Sequence, residues 1–524
     1  MKKITFLFFV FLFAATSCDD GFDDINTNPL APSTVNFGAV FNGLVQSLQL
    51  GWNRQLFLHN EILYDVTEQA VVTAKTFGNV DGGAEDVWSN YYTAMKNAGD
   101  LYQRFDAITE DPRSTDIVRA QLDVLMAYKT FQVTDLFGDI PYSEGGKAFE
   151  QDAIIRPAYD RQEDIYKLVI ADLVEASVIL SGGGEPPMGA YLRYGAFDTF
   201  LNDNTDTWAR FCNSLLLRHL VRMYDADPEF AGPIVKDLIE GGANFVVEGG
   251  DIGMSPAAQN WRNLGVNWSF REHNKVRMGS TIWNFMTDDE GVILDPRLRF
   301  FFEENNAGEW VAFPQNPTDD TPQSGGEPYS QDRRDADYND KGADNIYASV
   351  NFYLIRDELD IPELIITAAE VKFLISEVFL RGIGVTADPS LASGRYQEGI
   401  IASINFWKGI VENSTIWINK PPIPSAADAF ILTTNPKYAM TFDGPTEENL
   451  RRIYEQRWID SFRQPWEAFA LLRRTNLVPR ERDENEFFRF QYPQSEVAFN
   501  AENYEMQMGI MGGDRTDIKM WWMN

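Results

Sequence analysis

Few residues in this sequence are spaced for covalent or metal chemistry. The three histidines are His59, His219 and His273, and none stands in a His-Glu-x-x-His pair or beside a cysteine at zinc spacing. His219 falls in a strongly helical stretch, where a structural role is the simpler account. A serine-nucleophile elbow fails at its last position, Gly253-Met254-Ser255-Pro256-Ala257. Gly146-Lys147 is preceded by Pro141 where a phosphate loop needs glycine. Gly382-Ile383-Gly384 follows a helical pattern instead of a strand, which rules out a dinucleotide fingerprint. Asp335-Ala336-Asp337-Tyr338-Asn339 sets oxygens at alternate positions, yet Asp340 replaces the turn glycine of a calcium loop and Ile346 its closing glutamate. A solvated acidic loop accounts for it better. Paired carboxylates for glycoside hydrolysis carry no signal among 78 acidic residues. The expectation is a protein with no catalytic residues, no metal and no cofactor.

Aromatic faces interleaved with hydrogen-bond donors offer a different chemistry, the holding of sugar rings or extended peptides. The best stretch for it runs from Trp261 to Trp283 and includes Trp268, Phe270, Arg262, Asn263, Asn267, Arg271 and Asn274. It lacks helical or strand periodicity, so its aromatics are not a core face by pattern. The candidate ligand-binding residues in it are Trp261, Trp268, Arg271 and Trp283. Trp310 and Tyr329 stand behind them. The competing account is that these rings pin long loops to a scaffold.

The elements that must position such a site read as helices. Phe41, Leu44, Val45 and Leu48 recur at helical spacing, as do Ile117, Ala120, Val124, Tyr128 and Phe131, with Asp116 as a possible cap. Trp208 to Tyr224 is another helix, stopped by Asp225-Ala226-Asp227-Pro228. A later one is expected to open at Pro362, carry Leu364, Ala368, Val371, Ile375 and Val378 on one face, and close at Gly382. Leu450, Tyr454 and Trp458 mark one more. Residues 240–345, rich in Gly, Pro, Asn and Trp, read as a large loop-rich insertion, and loops that long in a folded chain are usually functional. The fold class is therefore mostly α, with paired helices that suggest tetratricopeptide-like units, although no clean 34-residue period emerges.

The formal net charge of −33 opposes contact with phosphate backbones, so nucleic acid is not an expected partner. Aromatic residues make up 13% of the chain, which marks it as folded. Met1-Lys2-Lys3 and the apolar run Ile4 to Ala15 form a secretory signal too short for a membrane anchor, which takes ~20 apolar residues. Ala15-Thr16-Ser17 lead to Cys18, a lipobox in which Ala15 replaces the usual leucine. Cys18 is thus the expected lipidation site, and the membrane is met through this anchor only. With Cys18 acylated, Cys212 has no disulfide partner and is expected to be a buried small hydrophobe. The expected organisation is a signal peptide over 1–17, a lipid-bearing tether over 18–36 and one helical domain over 37–524.

Several segments then resemble a known family. Cys18-Asp19-Asp20 with Asp24-Ile25-Asn26-Thr27-Asn28-Pro29, and Trp88 to Asn97, are similar to the early part of SusD/RagB nutrient-binding outer-membrane lipoproteins of Bacteroidetes. Ala127 to Tyr142, Trp208 to Arg218, Ala369 to Glu377, Trp466 to Thr475, Tyr492 to Glu496 and Gly512 to Trp522 resemble later segments of its second SusD-like subfamily. The resemblance covers nearly the whole chain. It implies a tetratricopeptide-like scaffold with a variable loop face at the cell surface, and by the family's arrangement it adds Trp88 and Tyr91 to the candidate ligand-binding residues, lining the same cleft. It also implies non-catalytic capture of oligosaccharide or oligopeptide for a SusC-like TonB-dependent transporter. A surface-anchored hydrolase, or a structural or adhesive lipoprotein, are the alternatives.

Overall fold

The structure is a computed structural model that describes residues 37–73, 80–108, 115–148, 153–182, 198–254, 269–270, 275–323, 325–329, 345–355, 362–414, 417, 420–422 and 440–523. Cys18 and its tether, Trp261, Trp268, Arg271, His273 and the 335–339 acidic loop lie outside the described residues.

The chain is mostly helical. In order, α1 is Phe37–Gln46, followed by a π-helix over Arg54–Leu63 and β1 over Val71–Val72. Next come α2 (Val80–Asp106), α3 (Asp116–Phe137), α4 (Gln162–Ser181), α5 (Thr205–Met223) and α6 (Pro228–Glu240). The loop-rich region carries β2 (Ile252–Met254), β3 (Val276–Arg277), α7 (Ser280–Met286), α8 (Arg297–Phe301), β4 (Phe302–Glu303) and β5 (Ser349–Val350). After it follow β6 (Glu363–Ile366), α9 (Ala368–Arg381), α10 (Pro389–Asn413), α11 (Thr446–Asp460), α12 (Pro465–Thr475), α13 (Gln494–Phe499) and α14 (Ala501–Met511).

Helices α3 to α6 each pack against the next, and α9 pairs with α10 across the short link 382–388, in the tetratricopeptide-like manner expected. Helix α5 is central. Every residue from Trp208 to Met223 is buried except Arg210, so it is apolar on more than one face. Its N-cap Asn204 accepts the Thr207 N–H at 3.0 Å. Asp227 does the same for α6 through Phe230, with Pro228 in the first turn. Gly138 ends α3 at φ +86°, and Gly382 ends α9 at φ +71°, angles that suit glycine.

Two expectations need correction. Asp116 is not a cap: Thr115 is the N-cap without a side-chain bond, and Asp116 opens the helix where its charge suits the dipole. Pro362 does not open a helix either. Glu363-Leu364-Ile365-Ile366 forms β6, antiparallel to β2, and α9 starts at Ala368 under Thr367, whose Oγ1 accepts the Glu370 N–H at 3.0 Å.

Buried polar groups join the helices. Arg218 donates to both Glu370 oxygens, at 2.8 and 2.5 Å, and to the Ile365 carbonyl at 2.7 Å. Arg222 pairs with Asp135 and Glu467. Glu377 accepts both ends of the Arg474 fork, at 2.7 and 2.8 Å. One apolar cluster is built from α1 to α6 and the C-terminal segment, another from the loop-rich region with α10 and α11. Trp522 is fully buried and donates to Asp135 Oδ1 at 2.8 Å, so the C-terminal tryptophan docks on the helical core. Cys212 is buried, as expected, and its Sγ donates to the Leu173 carbonyl at 3.3 Å. Among the described residues no helix is long and apolar enough to cross a membrane.

Candidate ligand-binding surface

The loop-rich region is carried by an antiparallel sheet in the order β1-β3-β5-β4. Val71 and Val72 pair with Arg277 and Val276, so the sheet is rooted in the scaffold just after the π-helix. Arg277 is buried and donates to the Gly326 carbonyl at 2.7 Å, while Tyr329 Oη donates to the Val350 carbonyl at 2.6 Å. These bonds pull the 325–329 segment onto the sheet.

Glu68 ties this region down. It lies at φ +56°, strained for a side-chain-bearing residue, and is fully buried. Its carboxylate accepts Thr281 Oγ1 at 2.5 Å, Glu481 N at 2.8 Å and Arg482 N at 3.1 Å. Arg482 also forks onto Asp65 at 2.8 Å from each outer nitrogen. Glu481 in turn is exposed and accepts Ser280 Oγ at 2.5 Å and Asn284 Nδ2 at 2.8 Å, and its carbonyl accepts Asn316 Nδ2 at 3.2 Å. Helix α7 is thereby fixed at both edges.

Trp283 projects from α7. Its ring centroid lies 6.2 Å from that of Trp310, with the planes 16° from parallel. Both rings are half-buried against the core, and the Arg299 guanidinium stands 5.9 Å from the Trp310 ring. Two near-parallel indoles with a cation and an exposed carboxylate nearby can stack a planar or ring-shaped ligand and hydrogen-bond its rim.

The other candidates separate. Trp88 and Tyr91 are core residues, 4% and 1% exposed: Trp88 packs on Phe137 and Tyr492, and Tyr91 Oη meets Thr130 Oγ1 at 3.1 Å. This placement takes them out of the exposed surface. Phe270 and Tyr329 are likewise buried. Trp52 was not among the sequence candidates. It is 42% exposed at the start of the π-helix, edge-on to Phe57, and its carbonyl accepts Ser269 Oγ at 3.3 Å, one residue after Trp268. A lone aromatic in Gly51-Trp52-Asn53, between two helical patterns, was the available signal.

His59 and His219, the histidines among the described residues, are both buried. His219 stacks on Phe131 at 3.6 Å, and burial, with Arg222 and Arg218 nearby, holds its pKa well below the ordinary value. His59 is kept neutral by burial and by Arg463 and Arg54. Among the described residues no three of His, Cys, Asp and Glu are arranged to hold a metal ion.

In overall shape the chain is similar to a solved chitin-binding protein, with a TM-score of 0.71, 21% identity and coverage of 93% of this chain and 100% of that one. It is similar to a chitin-binding SusD homolog from Flavobacterium johnsoniae, with a TM-score of 0.69, 20% identity and coverage of 93% and 98%. A SusD homolog from Parabacteroides distasonis gives a TM-score of 0.71, 19% identity and coverage of 94% and 98%. At these identities the likeness is one of fold. In sequence, SusD-like protein P2 of Formosa agariphila is 28% identical over 194 residues, a match that spans 33% of this chain and 37% of that relative. A family model described as starch-binding and associating with the outer membrane matches residues 29–493, and the chain belongs to that second SusD-like family.

Proposed function

We propose that the protein is a non-catalytic, cell-surface nutrient-binding lipoprotein. It captures a glycan on its loop-rich face and delivers it to a SusC-like TonB-dependent transporter. The single observation that carries the reading is the half-buried, near-parallel Trp283–Trp310 pair, held on α7 by the Glu68–Glu481 clamp. Rigidly held aromatics that keep one side open bind sugar rings without costly ordering. The sequence candidates Trp261, Trp268 and Arg271 lie outside the described residues, and Trp52, whose carbonyl accepts Ser269 Oγ, marks the scaffold edge of the surface in this reading. A family described as starch-binding and two chitin-binding structural relatives favour glycan over peptide. Lipid on Cys18 supplies the anchor, over a domain organisation of 1–17, 18–36 and 37–524.

The test is calorimetric titration of the mature protein with chitin oligosaccharides, malto-oligosaccharides and an oligopeptide mixture, followed by assay of each for cleavage. Saturable binding of an oligosaccharide, recovered intact, is expected. Binding of the peptides alone, or turnover of any of the three, overturns the reading.

A further inference from the structure

Trp52 is the one exposed tryptophan among the described residues; the others are buried or half-buried. A single exposed apolar side chain is ordinary, but this one is held in a rigid frame. On its N-terminal side the Leu50 N–H donates to Glu363 Oε2 on β6 at 2.8 Å. The Gln55 N–H closes onto the Gly51 carbonyl at 3.0 Å. Arg54, 6% exposed, donates to the Gln49 carbonyl and stands 2.9 Å from Asp86 Oδ2 on α2. The π-helix that begins here lies so close to α2 that a Cβ on Gly83 would come within 3.1 Å of the Leu58 nitrogen. Phe57 backs the indole edge-on, with ring centroids 5.7 Å apart. π-Helical turns are rare and recur at functional sites, and a ring fixed in this way loses little freedom when a ligand covers it.

A polar partner for a sugar stands next to this tryptophan. A Cβ on Gly51 would lie 3.5 Å from Asp86 Oδ2, so the Asp86 carboxylate sits against the residue that precedes Trp52. The Asp86 side chain is 32% exposed, and beyond its Arg54 contact it keeps room to accept from hydroxyl groups. An aromatic face with a carboxylate beside it suits a sugar ring, whose C–H groups lie on the face while its hydroxyls bond the oxygens. This platform is separate from the aromatic pair of the loop-rich face. The Trp52 ring meets Phe57, and the Trp283 ring meets Trp310. The two are nevertheless joined through the fold. Ser269 bonds the Trp52 carbonyl, Phe270 lies 6.4 Å from the Tyr64 ring at the end of the π-helix, and β3 and α7, which carries Trp283, follow in the chain.

We propose, on the glycan-binding reading above, that Trp52 and Asp86 form a second sugar subsite set apart from the Trp283–Trp310 pair. The captured glycan is then an oligosaccharide long enough to reach both platforms, and a disaccharide held at the pair does not touch Trp52.

The experiment measures the affinity of the mature protein for chitohexaose and maltohexaose by calorimetry, and for chitobiose and maltose by ligand-observed NMR. It is repeated on Trp52→Ala, Trp52→Phe, Asp86→Asn and Trp283→Ala, each with its melting temperature. Trp52→Ala and Asp86→Asn should each weaken the bound hexasaccharide about tenfold and leave the disaccharide unchanged, while Trp52→Phe restores most of the loss. Trp283→Ala should weaken both lengths. Unchanged hexasaccharide affinity in either Trp52→Ala or Asp86→Asn overturns the subsite, and so does an equal loss for both lengths. A measurement on the unsubstituted protein guards against a variant that folds poorly: the hexasaccharide should shield Trp52 from oxidation by N-bromosuccinimide, read by mass spectrometry, and the disaccharide should not. Oxidation of Trp52 at the same rate with and without hexasaccharide overturns the subsite. If the unsubstituted protein binds no hexasaccharide, the glycan reading and the subsite fall together; if it binds and Trp52 is indifferent, the subsite alone falls.

Discussion

Trp283 and Trp310 are each half-buried against the apolar cluster that includes α10 and α11, and they stack on one another. Trp88, a tryptophan of equal size, is spent on the core instead. The difference was legible: Trp88, Tyr91, Ala94, Ala98, Leu101 and Phe105 recur at helical spacing along α2, the mark of a buried stripe, whereas Trp283 and Trp310 follow no period. At Asp460 the consequence is a pH dependence. Burial raises its pKa to about 6, against the bond from Thr367 Oγ1 at 2.6 Å. A carboxyl raised in the folded state costs nothing while both states are protonated, near pH 4 and below. Its penalty grows as pH rises from about 4 to 6 and levels off at about 3 kcal/mol above that. Asp460→Asn should therefore flatten the fall in stability between pH 4 and 7, measured by urea unfolding; parallel profiles for the two proteins would contradict this.

At the scale of elements, helices with a clear apolar period were readable, and α5 lies within a few residues of its expected bounds. The start of α9 was misread, because Leu364 and Ala368 fit a helical stripe while Leu364-Ile365-Ile366 is a short run better suited to a buried strand. Thr367 with Glu370 three residues on was the start signal. Contacts made by residues far apart in sequence, such as Glu68 with Glu481 and Thr281, leave no local mark. Two predictions belong here. Glu377 is buried, and although burial works to raise its pKa, Arg474, Arg381 and Arg457 outweigh it and hold it at about 2. Its stabilisation is present above pH 4.5 and is lost as pH falls from there through 2. Glu377→Ala strands those guanidinium groups and should cost about 3–5 kcal/mol at pH 7. The loss should shrink toward pH 2, and a loss under 1 kcal/mol at pH 7 by chemical denaturation contradicts the account. Glu68→Gln keeps the size of the clamp but replaces one acceptor oxygen with an amide donor that faces N–H groups. It should weaken oligosaccharide binding and lower the melting temperature together, as seen by calorimetry; weakened binding with the melt unchanged would mean that Glu68 touches ligand.

For the whole molecule, the family and fold were legible from segments spread along the chain, since scaffold motifs such as Phe137-Gly138-Asp139 are fixed by local geometry. The proposed ligand surface was legible only in part, because its aromatics come from α7, the stretch after β4 and the start of the π-helix, which no sequence window contains together. Lipidation is a whole-molecule matter: Cys18→Ala should release the protein from the outer-membrane fraction in cells lacking the barrel partner, and retention would refute the anchor. The central claim is that the aromatic pair on the loop-rich face binds the captured glycan. Its most direct test is oligosaccharide affinity by calorimetry for Trp283→Ala, Trp310→Ala and the double variant, beside their melting temperatures. Each single substitution should cost about 1–3 kcal/mol of binding with the fold intact. Unchanged affinity in a folded double variant would contradict the account.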